Sequence, residues 1–324
     1  MRHTVVRAAL VLVATLALAG CWLQPGFDAE QSSYNTSDNA VTPANVGGLH
    51  QLWSTALATT PVNDPVVSTN GVYASAGTSQ TVGIVALLAA ANGSVRWSQA
   101  PYTLVGPYTA ISPTLVGNDV DVPVYSYSPV VGSSIAVYDA ATGTPGTSLP
   151  LSTSVPVVSR GSKLAGAFRQ CTDTGLCGSW LFVHDSTGNG SWRTTLDITG
   201  WSGLPSLTRT AVGADHLFVG RGASVQSFTV APPTNCTTTQ GSTFCPPEWS
   251  TTVSTDVAGH PMLSPDDSVV YAAAGTQLVA LRATDGTQLW SGTLGSNATA
   301  APALANGHVY VPTGNGDLAV FAAN

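Results

Sequence analysis

Four cysteines in the body of the chain form two local couples, Cys171 with Cys177 and Cys236 with Cys245, with five and eight residues between partners. Zinc ligands prefer two to four residues between paired cysteines, so these gaps favour two loop-fastening disulfides over a metal centre. His184-Asp185 and Asp215-His216 are adjacent pairs, His260 precedes a proline and His308 follows Asn306-Gly307. None of these has the spacing of a metal site, and all read as turn residues. Asn118-Asp119-Val120-Asp121 and Asp266-Asp267 offer oxygen ligands of the kind calcium takes. No distal Glu completes such a loop, and Asn and Asp also form turns between strands. A Gly-x-Ser-x-Gly elbow for hydrolysis does not occur, and Gly188-Asn189-Gly190 and Gly314-Asn315-Gly316 read as hairpin turns. The expectation is a chain with no catalytic residues and no metal.

The fifth cysteine points to delivery. Arg2 and Arg7 give a positive start, and Ala8 to Ala17 form an uncharged apolar run too short to span a bilayer. Leu18-Ala19-Gly20-Cys21 then resembles the lipobox of bacterial lipoproteins, where the leader is cut before a cysteine that is lipidated. That resemblance implies a signal peptide at 1–20, a lipidated Cys21 with a tether to residue 45, and a folded domain over 46–324. The protein is then exported and held to a membrane through lipid on Cys21, facing the extracytoplasmic side. The full chain has ten Lys plus Arg against seventeen Asp plus Glu; removing Arg2 and Arg7 leaves eight cations. Such an acidic surface repels nucleic acid, which is excluded as a partner.

The elements behind these residues are strands. The chain has one Lys (Lys163), two Glu (Glu30 and Glu248) and abundant Val, Thr, Gly and Pro, a composition that disfavours helices. One unit recurs: a proline opens an apolar strand, a turn follows, and later a Gly precedes a Trp by four residues. Pro65 to Tyr73 with Gly93 to Trp97, and Pro261 to Tyr271 with Gly286 to Trp290, are the clearest copies. Weaker copies open at Pro113, Pro156, Pro205 and Pro302, with spacings of 41 to 56 residues. These fit propeller blades of ~40 to 50 residues. Trp53, Trp97, Trp192, Trp249 and Trp290 each stand 12 to 16 residues before such a proline. Their period marks them as blade-packing residues, whereas Trp22, Trp180 and Trp201 fall outside it and are left for a binding surface or, for Trp22, the membrane side. The expected fold is all-β, a single propeller of six four-stranded blades in preference to seven or eight. A strand near Trp53 completes the blade that opens at Pro302 and closes the ring.

Val279-Ala280-Leu281-Arg282-Ala283-Thr284-Asp285-Gly286-Thr287-Gln288-Leu289-Trp290 and Val85 to Trp97 resemble the repeat of pyrroloquinoline quinone (PQQ)-type propellers. A third stretch, Ile135 to Gly143, has Thr147 where Trp is expected. Val41 to Trp53 is similar to the opening segment of quinoprotein dehydrogenases. That resemblance implies PQQ as a cofactor, yet the calcium ligands, catalytic Asp and adjacent cysteines of those enzymes find no match here. Arg160, Arg209 and Arg221 could approach a channel, with no spacing that makes them converge on a tricarboxylate. The repeat is also similar to the propeller lipoprotein of the outer-membrane barrel-assembly machinery, a noncatalytic scaffold. The function expected is a cell-envelope lipoprotein that binds a protein or small molecule without catalysis and without a cofactor. The alternatives are a quinoprotein-like oxidoreductase holding PQQ and a propeller hydrolase or lyase.

Overall fold

The computed structural model describes residues 24–29, 31, 50–57, 63–76, 83–100, 108–110, 112–126, 134–149, 156–171, 176–187, 190–200, 204–239, 241–305 and 307–322. Residues 1–20, where a signal peptide is expected, and Cys21, Trp22 and Trp201 lie outside them. The regular structure is antiparallel strand throughout.

Sheet I contains β1 (Val66–Ser68), β2 (Gly71–Ala76), β3 (Ile84–Leu88) and β4 (Val95–Gln99), paired in sequence order. Sheet II contains β5 (Tyr108–Ala110), β6 (Thr114–Val116), β7 (Asp119–Ser126) and β8 (Ser134–Asp139), with β5 and β6 pairing with opposite ends of β7. Bridges Tyr138–Pro145 and Ile135–Leu149 lay a short irregular segment along β8. Sheet III contains β9 (Val158–Arg160), β10 (Lys163–Cys171), β11 (Leu176–Asp185) and β12 (Trp192–Gly200). Sheet IV contains β13 (Leu207–Val212), β14 (His216–Arg221) and β15 (Ser224–Thr229). An inserted hairpin of β16 (Thr237–Thr239) and β17 (Ser242–Phe244) then precedes its last strand, β18 (Trp249–Thr252). Sheet V contains β19 (Met262–Leu263), β20 (Val269–Ala274), β21 (Gln277–Arg282) and β22 (Gln288–Thr293). Sheet VI contains β23 (Ala303–Ala305), β24 (His308–Pro312) and β25 (Leu318–Ala322), three strands among the described residues. Each opening proline stands one or two residues before the first strand of a sheet or, in sheet II, before β6. There a missing N–H costs the ladder nothing. The inserted hairpin explains the longest spacing, from Pro205 to Pro261.

Consecutive sheets stack face to face. One apolar cluster joins Tyr73, Val85 and Leu87 of sheet I to Val120, Val122 and Tyr138 of sheet II. Others join II to III through Ile135 and Phe182, III to IV through Val183 and Leu217, IV to V through Phe218 and Val270, and V to VI through Leu278 and Val309. A strand whose two faces each meet a neighbouring sheet buries almost every side chain, which is why β3 and β21 read as continuous apolar runs. These stacked sheets are the blades of a propeller.

Part of the expected tether is packed. The Gln24 amide brackets the backbone of Ser159 on β9, donating to its carbonyl at 3.0 Å and accepting from its N–H at 2.6 Å. The Ala29 carbonyl accepts from Val212 N on β13 at 2.8 Å, Ala29 joins the core between sheets III and IV, and Gln31 is fully buried. Gln24 and Ala29 thus bond to the first strands of sheets III and IV.

Candidate functional site

A row of residues crosses each sheet at one register. In sheet I it reads Val66, Tyr73, Leu87, Trp97; in sheet V, Met262, Tyr271, Ala280, Trp290; in sheet IV, Ala211, Phe218, Ser227, Trp249. In sheet III it reads Val158, Ala165, Val183, Trp192, and in sheet VI the row runs Ala303, Tyr310, Val320. The terminal Trp leaves its own sheet and docks on a turn of the next. Trp97 Nε1 donates to the Ala140 carbonyl at 3.2 Å, Trp192 to Val230 at 3.1 Å and Trp249 to Ala283 at 2.8 Å. Trp53 makes the same bond to Ala90 of sheet I at 2.9 Å. The rings of Trp53, Trp97 and Trp249 lie over Gly93, Gly143 and Gly286, where a Cβ would fall 2.5 to 2.6 Å from an indole carbon and φ is about 70°. Only glycine satisfies both demands. The residue two beyond Trp adds a second clasp: Thr55 Oγ1 donates to Gly93 O at 2.6 Å, Gln99 Nε2 to Gly143 O at 3.0 Å and Thr251 Oγ1 to Gly286 O at 2.7 Å. Sequence reading missed that clasp, although Trp-Ser-Thr and Trp-Ser-Gln are visible in the chain.

Sheet II breaks the row. Its members are Thr114, Asp121 and Val137, and continuing the Ile135–Leu149 register by two residues sets Thr147 opposite Val137. Asp121 therefore stands where sheets I, IV, V and VI have Tyr or Phe, and Thr147 stands where Trp belongs. The turn that would receive this Trp is Ser186: its N–H bonds Ser162 O just as Ala140 bonds Asn118 and Ala283 bonds Ser268. Between sheets II and III lies a cavity of about 620 Å³. Asp119, Asp121, Thr147, Ser162, His184 and Ser186 contribute to its lining, with Val137, Leu149 and Leu164 as apolar walls. Asp121 is only 4% exposed. Burial, and then the neighbouring Asp119 carboxylate, push its pKa up to about 7.

A second groove, about 430 Å³, runs under the inserted hairpin and is lined by Leu196, Arg221, Phe228, Phe244 and Pro246, among others. Cys236 and Cys245 form a disulfide that closes this hairpin, and Thr194 Oγ1 accepts from Cys245 N at 2.7 Å. Cys177 is disulfide-bonded, and Cys171 stands directly opposite it in the β10–β11 register.

The three arginines do not converge. Arg160 pairs with Asp267 at 3.1 Å, Arg209 with Asp64 at 3.3 Å, and Arg221 with Asp197, its Nε donating at 2.7 Å. Asp267 thus binds an arginine, while Asp266 caps its own turn through Ser264 and Ser268. Trp180, set aside for a binding surface, stacks on Phe168 at 5.0 Å in the core between sheets II and III. His216 pairs with Glu248 at 2.7 Å, and His184 lines the cavity. His260 is no exposed turn residue: burial and then the Arg209 charge hold its pKa down to about 3, against a hydrogen bond with the Gln31 backbone. Among the described residues Trp290 has no such carbonyl partner; it meets Phe321 edge-on at 5.2 Å. Among the described residues no three His, Cys, Asp or Glu side chains are grouped to hold a metal ion.

The family model described as outer membrane protein assembly factor BamB matches residues 244–324. No curated protein matches the chain in sequence. Among solved structures, the Dos1 propeller has a TM-score of 0.61 at 9% identity, covering 84% of this chain and 70% of that one. BamB from Moraxella catarrhalis has a TM-score of 0.46 at 16% identity, covering 84% and 75%. A quinohemoprotein alcohol dehydrogenase from Pseudomonas putida HK5 has a TM-score of 0.45 at 12% identity, covering 92% and 76%. The chain is an all-β propeller, and residues 244–324, its C-terminal quarter, match the PQQ-type repeat model of the assembly-factor family.

Proposed function

We propose that this protein is a lipid-anchored binding module of the bacterial cell envelope, a scaffold without catalytic function of its own. The observation that carries the reading is the match of residues 244–324 to the outer-membrane assembly-factor model. The use of polar side chains supports it. Periodic tryptophans clasp neighbouring sheets, and Arg160, Arg209 and Arg221 are each committed to a carboxylate. Lipid on Cys21 would anchor the chain three residues before Gln24, which is itself fixed to Ser159. Three extended residues span only about 10 Å, so the blade face near Ser159 would sit close to the bilayer.

The test is fractionation of wild type and Cys21→Ser, with absorption spectroscopy on protein purified from its native envelope. The expected result is membrane-bound wild type, a released and folded variant, and no quinone absorption. Unchanged membrane association of the variant would overturn the anchor, and a stoichiometric quinone spectrum would overturn the noncatalytic role.

A further inference from the structure

Sheet II departs from sheets I, IV and V at two positions of one row, and the two changes act on the same space. In sheet I, Tyr73 Oη and Trp97 Nε1 both donate to the carbonyl of Ala140 in sheet II, at 2.9 and 3.2 Å. The same construction one sheet further on would aim two aromatic donors at Ser186. Asp121 and Thr147 stand in their places, so two rings are missing and a carboxyl group is added. No hydrogen bond reaches the Ser186 carbonyl among the described residues, and the Asp121 side chain, 4% exposed, accepts none from them and opens on the cavity.

Replacement of both aromatics by small polar residues does not by itself make a site, because a collapsed interface would serve equally well. Here the interface has not collapsed: the space persists as a cavity of about 620 Å³ with the unpartnered carboxyl inside it. The strand alternation fixes the direction of that carboxyl. Val120 and Val122 point into the core with sheet I, so Asp121 between them points to sheet III. A buried carboxylate without a partner is costly, and protein interiors satisfy such groups with a counter-charge. Among the described residues the cavity is lined by no Lys or Arg: its ionisable lining is Asp119, Asp121 and His184. Among the described residues no third acid joins these two, and metal cages need more oxygen ligands than two carboxylates, so the pair suits an organic cation better than a metal ion.

We propose that the cavity between sheets II and III is a binding site for a small aromatic amine. The ring occupies the space that an indole fills elsewhere in this protein, against Val137, Leu149 and Leu164. The ammonium group pairs with Asp121, and Asp119 at the rim adds attraction. A ring N–H, where the ligand has one, donates to the Ser186 carbonyl as Trp97 donates to Ala140. This assignment stands on the cavity alone and does not depend on the scaffold reading.

Tryptamine carries the ring, the N–H and the ammonium, and indole-3-acetate carries the same ring with the opposite charge. Calorimetric titration of the full protein at pH 7.5 with each probe is the test, applied to wild type, Asp121→Asn and Thr147→Trp. Wild type is expected to bind tryptamine and not indole-3-acetate. Loss of a charge-assisted hydrogen bond in Asp121→Asn should weaken binding by roughly tenfold or more. Thr147→Trp, which rebuilds the missing clasp and leaves Asp121 in place, should abolish binding while melting no lower than wild type. Absence of tryptamine binding to wild type at about 1 mM, equal binding by Thr147→Trp, or equal binding of the acetate would each overturn the proposal.

Discussion

Tyr73 and Trp97 lie two strands apart in one sheet, yet both donate to a single carbonyl, that of Ala140 in the following sheet. Their rings are 6.1 Å apart and tilted, and Trp97 also approaches Tyr138 at 6.3 Å. One aromatic row therefore fixes both the spacing and the rotation of adjacent blades. Phe218 and Trp249 repeat the ring pair at 5.8 Å, with Trp249 alone donating to the Ala283 carbonyl. Such a device serves a propeller well, since the apolar contact that supplies most of the burial between sheets is nondirectional.

The clasp predicts strong coupling between Trp249 and Gly286. Trp249→Ala should cost about 3 to 5 kcal/mol, the usual loss for a large buried aromatic. Gly286→Ala places a Cβ at φ +70 and 2.5 Å from the indole, and should cost about 2 kcal/mol or more. In the double variant the indole is gone, so the second change costs less than it does alone. Denaturant unfolding of the four proteins checks this, and strict additivity would show that the glycine is not kept for the ring.

The prolines and tryptophans made the blades legible because their constraints are local. A proline lacks one donor wherever it stands, and a Gly four residues before a Trp marks a tight turn into an outer strand. Asp121 was hidden by its neighbour Asn118, a turn former, which drew the whole run toward a turn; the turn ends at Asn118 and Asp121 is a strand residue. Its partnerless state depends on Thr147, twenty-six residues away, and on Ser186 in another sheet. Residues 24–29 and 31 carry no periodicity; they are held by the Gln24 amide on Ser159, the Ala29 carbonyl on Val212 and the Gln31 backbone at His260. His260 likewise reads as a turn residue until Gln31 and Arg209 close over it.

Asp121 should make stability depend on pH in a defined direction. Its folded pKa of about 7 lies above the unfolded value of 3.8, so the native state keeps a proton that the unfolded state has lost between those values. Stability from this group is present at low pH and is lost as pH rises toward 7. Asp121→Asn removes the effect, and its advantage over wild type should grow by up to roughly 4 kcal/mol between pH 4 and pH 8. Asp119 on the same strand, His184 on sheet III and the Lys163–Asp185 pair beside it are common to both proteins and cancel in the difference. Parallel stability curves for the two proteins would mean that the Asp121 carboxyl is solvated.

The Cys236–Cys245 disulfide spans a short loop and should contribute about 2 to 3 kcal/mol. Cys236→Ser with Cys245→Ser should lower stability by that amount and loosen the β16–β17 hairpin from Thr194. Mass spectrometry of a nonreduced digest is expected to give this pair and a Cys171–Cys177 pair. Cross-pairs or four free thiols would reject the assignment.

The last prediction concerns how the two ends of the propeller meet. Trp53 and Thr55 clasp Ala90 and Gly93 of sheet I in the way Trp249 and Thr251, on the fourth strand of sheet IV, clasp Ala283 and Gly286 of sheet V. By that equivalence residues 50–57, which have no regular strand assignment, are expected to supply the fourth strand of the sheet that precedes sheet I around the ring. Sheet VI has three strands among the described residues, and its row Tyr310–Val320 ends without a Trp. The expected pairing sets Trp53 opposite Val320, on the β25 edge where Leu318 and Val320 are exposed. Deleting residues 22–40 removes the bonds of Gln24 and Ala29 and should lower stability by about 1 to 3 kcal/mol. Deleting 22–56 also removes the Trp53 clasp and leaves β25 as an open edge, so it should melt lower still and aggregate. Hydrogen exchange gives an independent reading: β25 amides should be protected in the shorter deletion and exposed in the longer one. Equal melting temperatures with unchanged β25 exchange would show that the ends do not meet, and that Trp53 clasps sheet I from outside the ring.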